Sequence, residues 1–386
     1  MPRIYLDYNA STPIAPEVRA AMAPFLAEHY GNPSSGHWAS APAKQALERA
    51  RAQVAALLGA QPGEIVFTAG GSEANNHAIK GCWFDARRDP RRTRIVLSAV
   101  EHPAVVQPAR FLERLGAEVA VVPVDRHARI DPAAVERELA RGGVALVSIM
   151  HANNEVGTLQ PIAEIGTLCR AAGVPFHTDA AQSVGKVPAK VDDLKVDLLS
   201  VAGHKLYAPK GVGALYIRGG VALEPLVHGA GHEAGRRAGT ENVLLNVALG
   251  AACELAQAWL PRMNEVRALR EQLWTGLNEI FGAKIVLNGH PEARLPNTLN
   301  VSFAGCTGAG VLAALDGAAA TTGSACHSGS VKLSPVLEAM GVDPQIGRGA
   351  VRFSLGRETT PAEIAAVLSQ LAGFANRPSA FGSNPD

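Results

Sequence analysis

Residues 174–217 read "VPFHTDAAQSVGKVPAKVDDLKVDLLSVAGHKLYAPKGVGALYI". Three runs in this stretch, "VPFHTD", "VDLLSV" and "GALYI", are short, apolar and rich in β-branched or aromatic residues, which is the signature of buried strands. Turn-forming residues separate them, and each is too short to bury a helical face. The first run ends in Asp179 and the second leads to His204 and Lys205. A strand order with polar groups at the strand ends is therefore expected before any other segment is considered.

Working outward, "EIVFT" (64–68), "RIVLS" (94–98), "AEVAVVPV" (117–124) and "VALVSIM" (144–150) repeat the same pattern. Helical periodicity fills the gaps: "PAVVQPARFLERLG" (103–116), "DPAAVERELA" (131–140) and "IAEIGTLCRAAG" (162–173). Strands alternating with helices predict the α/β class with a mainly parallel, seven-stranded type of sheet. Upstream, "SAPAKQALERARAQVAALLG" (40–59) predicts a helix that Ser40 caps, with Leu47, Ala50, Val54, Leu57 and Leu58 on one face and Gly59 at its end.

Beyond a long helical stretch from about Glu241 to Ile280 the pattern changes to "KIVLN", "TLNVSF", "GVLAALDG", "SPVLEAMG", "VRFSLG" and a last helix near "PAEIAAVLSQLAG". This predicts a smaller α+β unit. The expected division is a large unit over 15–256, a small one formed by 1–14 with 257–376, and a Pro, Ser and Asn rich tail over 377–386.

Composition narrows the function. Lys plus Arg (36) nearly balances Asp plus Glu (35), so no global field attracts nucleic acid. No uninterrupted apolar run of about 18 residues suggests a membrane span, and "MPRIYLDYNASTP" lacks a signal core, so a cytoplasmic protein that binds small molecules is expected. The five cysteines, Cys82, Cys169, Cys253, Cys306 and Cys326, are odd in number and form no CxxC pair, which indicates neither a disulfide framework nor a metal site. Four of them sit in core-like or uninformative settings. Cys326 is different, because "TTGSACHSGS" (321–330) surrounds it with small polar residues that offer nothing to bury it.

Three constellations carry chemistry. In "FTAGGSEANN" a strand gives way to a Gly-Gly-Ser turn and a helix, so Gly71, Ser72 and the helix start make a phosphate cradle, although such turns also occur for backbone reasons alone. In "HTDAAQSVG", Asp179 ends a strand where α/β proteins bind ligands, yet an Asp there also serves as a helix N-cap. In "VAGHKLYAPKG", Lys205 sits between an apolar strand and a Pro/Gly loop, a setting that lowers a lysine pKa and favours Schiff-base chemistry. Anchor, ring-nitrogen partner and amine are the parts that hold pyridoxal 5'-phosphate.

With "YLDYNASTP", "GNPSS", "TAGGSEANN", "EHPAV", "NNEVGTLQPI", "HTDAAQSVGK", "GHKLYAPKGVGALY", "RRAGTEN", "GSAC" and "RFSLGRETT" in this order, the chain resembles the cysteine desulfurase and selenocysteine lyase family, fold-type I pyridoxal phosphate enzymes of the class V aminotransferase kind. The resemblance implies that Lys205 holds the cofactor as an internal aldimine and later removes the Cα proton. It implies that Asp179 keeps the ring nitrogen protonated, that Gln182 meets the ring hydroxyl, and that His102 stacks on the ring and moves protons. Gly71, Ser72 and His204 would hold the phosphate, with Thr240 reaching it from the second subunit of a homodimer. Asn154, also beside the cofactor, and Arg352 would take the substrate carboxylate.

By the same resemblance Cys326 would attack the chalcogen of L-cysteine or L-selenocysteine, leaving L-alanine and a persulfide or selenopersulfide for a sulfur or selenium acceptor protein. One position departs from the family: many cysteine desulfurases read Ser-x-His-Lys before the amine, where this chain has Ala202, so that phosphate contact is expected to be absent or to be replaced by water or Ser200. Ala202 and the "ACHS" around Cys326 and His327 resemble selenocysteine lyases, and the commoner family activity favours sulfur. An aminotransferase on the same fold would keep Lys205 and Asp179 but have no use for Cys326.

Overall fold

A computed structural model describes residues 3–322 and 333–376. The chain opens with β1 (Ile4–Tyr5) and then builds β2 (Ile65–Thr68), β3 (Arg94–Ser98), β4 (Glu118–Val122), β5 (Val144–Ser148), β6 (Phe176–Asp179), β7 (Leu198–Ala202) and β8 (Gly213–Ile217). These last seven form one sheet in the order β2-β8-β7-β6-β5-β3-β4. All neighbours are parallel except β8, which runs antiparallel to both β2 and β7. Each of the seven apolar runs picked out between residues 64 and 217 supplies a strand of this sheet.

The runs are continuous rather than alternating because both sheet faces are covered. On one face Ile95, Leu97, Leu146 and Leu215 pack with Ile79 and Trp83 of helix Gly71–Ala86 and with Leu112 of helix Pro103–Glu113. On the other, Val96, Val147, Leu199 and Tyr216 pack with Val54 and Leu58 of helix Ala41–Leu58 and with Leu249 of helix Val243–Trp259. Successive strand residues thus divide between two cores, as the pleat requires.

The expected apolar face of helix Ala41–Leu58 is buried, and Gly59 closes it at φ 68°. Ser40 does not cap it with its side chain. Its hydroxyl instead donates to the carbonyls of Ser35 and His37, at 2.6 Å each, and so ties the preceding loop to the helix start. Helix Val243–Trp259 approaches helix Ala41–Leu58 so closely that a Cβ at Gly250 would lie 2.5 Å from Ala50 Cα.

The stretch Val243–Lys284 is, by length and composition, apolar enough to cross a membrane. Its apolarity has another use here, since Ala248, Leu249, Ala252, Cys253 and Ala256 are fully buried in the sheet-covering core. A short 3-10 turn, Leu260–Arg262, interrupts it at Pro261, and helix Met263–Phe281 continues into the small unit.

That unit contains β9 (Ile285–Asn288), β10 (Thr298–Phe303), β11 (Ala318–Ala319) and β12 (Ala350–Ser354). Strands β12, β10 and β9 make an antiparallel sheet in that order, while β1 pairs with β11 in parallel. Ile4 and Leu6 lie in the same core as Leu273, Phe303, Phe353 and Leu371. The first residues of the chain are therefore stitched to the small unit, and the chain passes from there to the carboxyl end of the central strand β6, where the Asn9 carbonyl accepts from Gln182. This crossing brings residues of both units to one place.

Candidate active site

The carboxyl ends of the parallel strands and the small unit enclose a cavity of about 680 Å³, within the range expected of a small-ligand site. Lys205, Asp179, Gln182, His102, Asn154, Arg352, Gly71, Ser72 and His204 all line it. Each arrives on a different local device. Asp179 ends β6, Lys205 closes the 3-10 turn Gly203–Lys205 that follows β7, and Arg352 projects from the middle of β12.

No helix begins after Asp179, so its carboxylate is not a helix cap. Oδ1 accepts from the backbone N–H of Ala181 at 2.9 Å, and Oδ2 accepts from Asn75 Nδ2 at 2.7 Å. Burial holds the Lys205 amine below the ordinary lysine range; the Asp179 carboxylate opposes that shift and Arg352 adds to it. A buried amine with a carboxylate for company is poised to act as a nucleophile or base.

His102 caps helix Pro103–Glu113: its Nδ1 accepts from the Ala104 N–H at 3.1 Å. In the neutral ring the proton therefore sits on Nε2. Burial lowers the His102 pKa, and Lys205 lowers it further against the pull of Asp179, which favours that neutral form. Arg352 is anchored along one edge, with Nη1 donating to the Asn154 carbonyl and Nη2 to Asp7 Oδ1, both at 2.8 Å. Its Nε is buried and has no partner among the described residues, so donor capacity remains for a carboxylate.

At the other end of the cavity, helix Gly71–Ala86 starts with N–H groups that no helical carbonyl meets. Gly70 has φ 149°, and a Cβ at Gly71 would lie 3.1 Å from Ala202 Cβ. Only a glycine pair lets the turn pass so close to the end of β7 and leave its backbone bare. Burial together with Lys205, Lys210 and Lys186 pushes His204 down to about 4.

Ala202 lines the cavity, but Ser200 does not replace its missing hydroxyl: Ser200 Oγ pairs with His177 Nε2 at 2.9 Å, fully buried. Thr240 is exposed and does not line this cavity. Cys326 and His327 lie outside the described residues. The described residues that flank them are held close by, with Thr321 bridging to Arg352 and Ser334 Oγ donating to Glu155 Oε2 at 2.5 Å.

Sequence reasoning assigned no role to Asn9, Asn75 or Lys186, although all three stand inside motifs quoted above. Asn9 is the hub where the units meet, donating through Nδ2 to Thr298 Oγ1 and to the Asn154 carbonyl, while its own backbone carbonyl accepts from Gln182 Nε2 at 3.0 Å. Asn75 keeps a buried Oδ1 without a partner among the described residues.

Beside His102, Glu101 is a buried carboxyl whose Oε1 accepts from Ser98 Oγ at 2.5 Å and from the Met150 N–H at 2.8 Å, while Oε2 has no partner among the described residues. Burial pushes its pKa up from 4.5 to about 8. The folded protein then holds a proton that the unfolded chain releases, so this group's contribution is complete below pH 4.5 and declines as pH rises towards 8. Glu101→Gln should gain stability relative to the unmodified chain between pH 5 and pH 8, by at most about 1.4 kcal/mol per pH unit. Urea unfolding of both proteins across that interval checks this; a constant difference would mean that Glu101 is ionised in the fold.

The family model described as aminotransferase class-V matches residues 4–367. The cysteine desulfurase IscS of Dictyoglomus turgidum is 45% identical over 372 residues, covering 95% of this chain and 93% of that protein. A solved structure described as a NifS-like protein superposes with a TM-score of 0.89 at 36% identity, over 96% of this chain and 98% of the other. Another, described as SspA in complex with cysteine, gives 0.81 at 38% identity, over 91% and 98%.

Proposed function

Because this chain belongs to the aminotransferase class-V family, among the pyridoxal phosphate enzymes named cysteine desulfurases, we propose that it removes sulfur from L-cysteine, giving L-alanine and a persulfide on Cys326. The observation that carries this reading is the convergence of Lys205, Asp179 and Arg352 on one cavity. The donor set fits pyridoxal phosphate: an amine held below its usual pKa, a carboxylate pinned by Asn75 and Ala181, and a helix start cleared of side chains by Gly70 and Gly71. Arg352 Nε and Asn75 Oδ1, which have no partner among the described residues, belong to side chains that line this cavity.

When bound, the cofactor supplies an electron-withdrawing ring that stabilises the negative charge left at the substrate Cα. Lys205 Nζ holds the cofactor and then accepts the Cα proton. Asp179 would hold the ring nitrogen, where a carboxylate, unlike an amide, favours the protonated ring. Gln182 would meet the ring oxygen, His102 would stack on the ring and move protons through Nε2, and Gly71, Ser72 and His204 would hold the phosphate. Arg352 and Asn154 orient the substrate by its carboxylate.

The Cys326 thiolate attacks the substrate sulfur. The Cβ–S bond breaks as the S–S bond forms, and protons return to carbon. L-cysteine plus a thiol becomes L-alanine plus a persulfide, so atoms and electrons balance without an external oxidant. The persulfide then passes to an acceptor protein. The exposed Thr240 reaches the phosphate of a second copy, which makes the working unit a homodimer.

One observation favours a second substrate. Ala202 in place of the family hydroxyl resembles selenocysteine lyases, so L-selenocysteine belongs in the test. Purified protein loaded with cofactor is expected to form alanine from L-cysteine with matching sulfide when a reductant is present. Alanine from L-selenocysteine alone would replace sulfur by selenium in this reading. Pyruvate or glutamate formed with neither sulfide nor selenide would overturn it in favour of an aminotransferase.

A further inference from the structure

Lys186 is the buried lysine that the reaction above leaves unused. It is only 8% exposed, and no carboxylate pairs with it among the described residues. Burial, reinforced by Lys205 and Arg352, drives its pKa well below the ordinary value. The fold provides two acceptors for its N–H groups, Gln182 Oε1 at 2.9 Å and Asn9 Oδ1 at 3.2 Å.

The first of these contacts bears on the cavity. A glutamine amide has two ends of equal size and opposite polarity, and packing alone does not choose between them. Here Oε1 is taken by Lys186, and Nε2 donates to the Asn9 carbonyl at 3.0 Å. Turning the amide over would set Oε1 against that carbonyl oxygen. The orientation is therefore determined from behind, and the group left to face the cavity is the second N–H of Nε2.

We propose that Lys186 is a positioning residue: by donating to Gln182 Oε1 it fixes the amide as a hydrogen-bond donor towards the ring oxygen of the bound cofactor. This rests on the reading of the cavity as a pyridoxal phosphate site. A donor at that oxygen stabilises its ionised form, and the resting enzyme then absorbs at long wavelength; without the donor, the oxygen keeps its proton and absorption moves to the near ultraviolet.

The ratio of the two absorption bands in the cofactor-loaded resting protein, at one pH and normalised to bound cofactor, reads this directly. Lys186→Met has similar length and no donor, and should lower the ratio about threefold to tenfold, the range set by the net worth of one hydrogen bond. Lys186→Arg retains donors and should recover a large part of the ratio. In a Gln182→Leu background Lys186→Met should have no further effect, since the two residues act as one unit.

An unchanged ratio in Lys186→Met, or an equal shift in the Gln182→Leu background, would overturn the proposal. Should Lys186→Met fail to fold, Gln182→Glu keeps the acceptor for Lys186 and removes the cavity-facing donor; a ratio unchanged there would overturn it equally. If the unmodified protein forms no visible band with the cofactor, the failure lies with the site reading and not with Lys186.

Discussion

Lys205→Ala is expected to abolish alanine formation from L-cysteine, lowering the rate on the order of 10⁴-fold or more. Two losses coincide in this one substitution. The amine that holds the cofactor covalently disappears, and so does the base that accepts the Cα proton, a role worth up to about 10⁴-fold in general acid–base catalysis. The other buried lysine of this region, Lys186, does not line the cavity and is held behind it by Gln182 and Asn9, so it cannot take over. The fold should survive, since burying an amine whose pKa is already lowered is a cost that alanine removes. The variant should therefore unfold no earlier than the unmodified chain and show no visible band after cofactor addition. Alanine formation within tenfold of the unmodified rate would remove Lys205 from the mechanism.

The second large effect is expected from Cys326→Ala. Deleting a nucleophile costs at least on the order of 10³-fold where it forms the covalent intermediate. Turnover of L-cysteine should fall by that much, and mass measurement should find no added sulfur on the protein. The visible band should remain, because Lys205, Asp179 and the phosphate end of the cavity are untouched. L-selenocysteine makes the comparison informative: a selenol ionises more readily than a thiol and leaves carbon with less assistance. If L-selenocysteine turnover persists while L-cysteine turnover is lost, Cys326 serves sulfur chemistry. If neither falls, Cys326 is not the nucleophile.

The strands were legible because a central parallel strand is buried on both faces and so reads as an uninterrupted apolar run, as "RIVLS" and "VALVS" do. Helix Ala41–Leu58 was legible by its periodic face. Its cap was not, because the Ser40 hydroxyl found the carbonyls of Ser35 and His37 in a loop whose path no local pattern encodes. The long helical stretch expected from about Glu241 to Ile280 is present as two helices, and the break between them falls at Pro261, which lacks the N–H needed to continue the first. Lys205 and Asp179 stood out by their place at strand ends. Asn75 and Lys186 did not, since an Asn near a helix start or a Lys after a turn is ordinary until its partner is known.

What the sequence determined by itself was the set of strands, their alternation with helices and the presence of the residue types that pyridoxal phosphate chemistry needs. Only the tertiary structure decided how those residues meet: that Asn9 joins the two units, that Asn75 holds Asp179, that Ser200 is committed to His177, and that Thr240 stands away from its own chain's cavity. The reason is physical. Burial repeats with the period of each element and leaves its imprint on neighbouring residues, whereas the polarity of a hydrogen bond is set by partners that only folding brings together, such as Gln182 and Asn9, 173 positions apart.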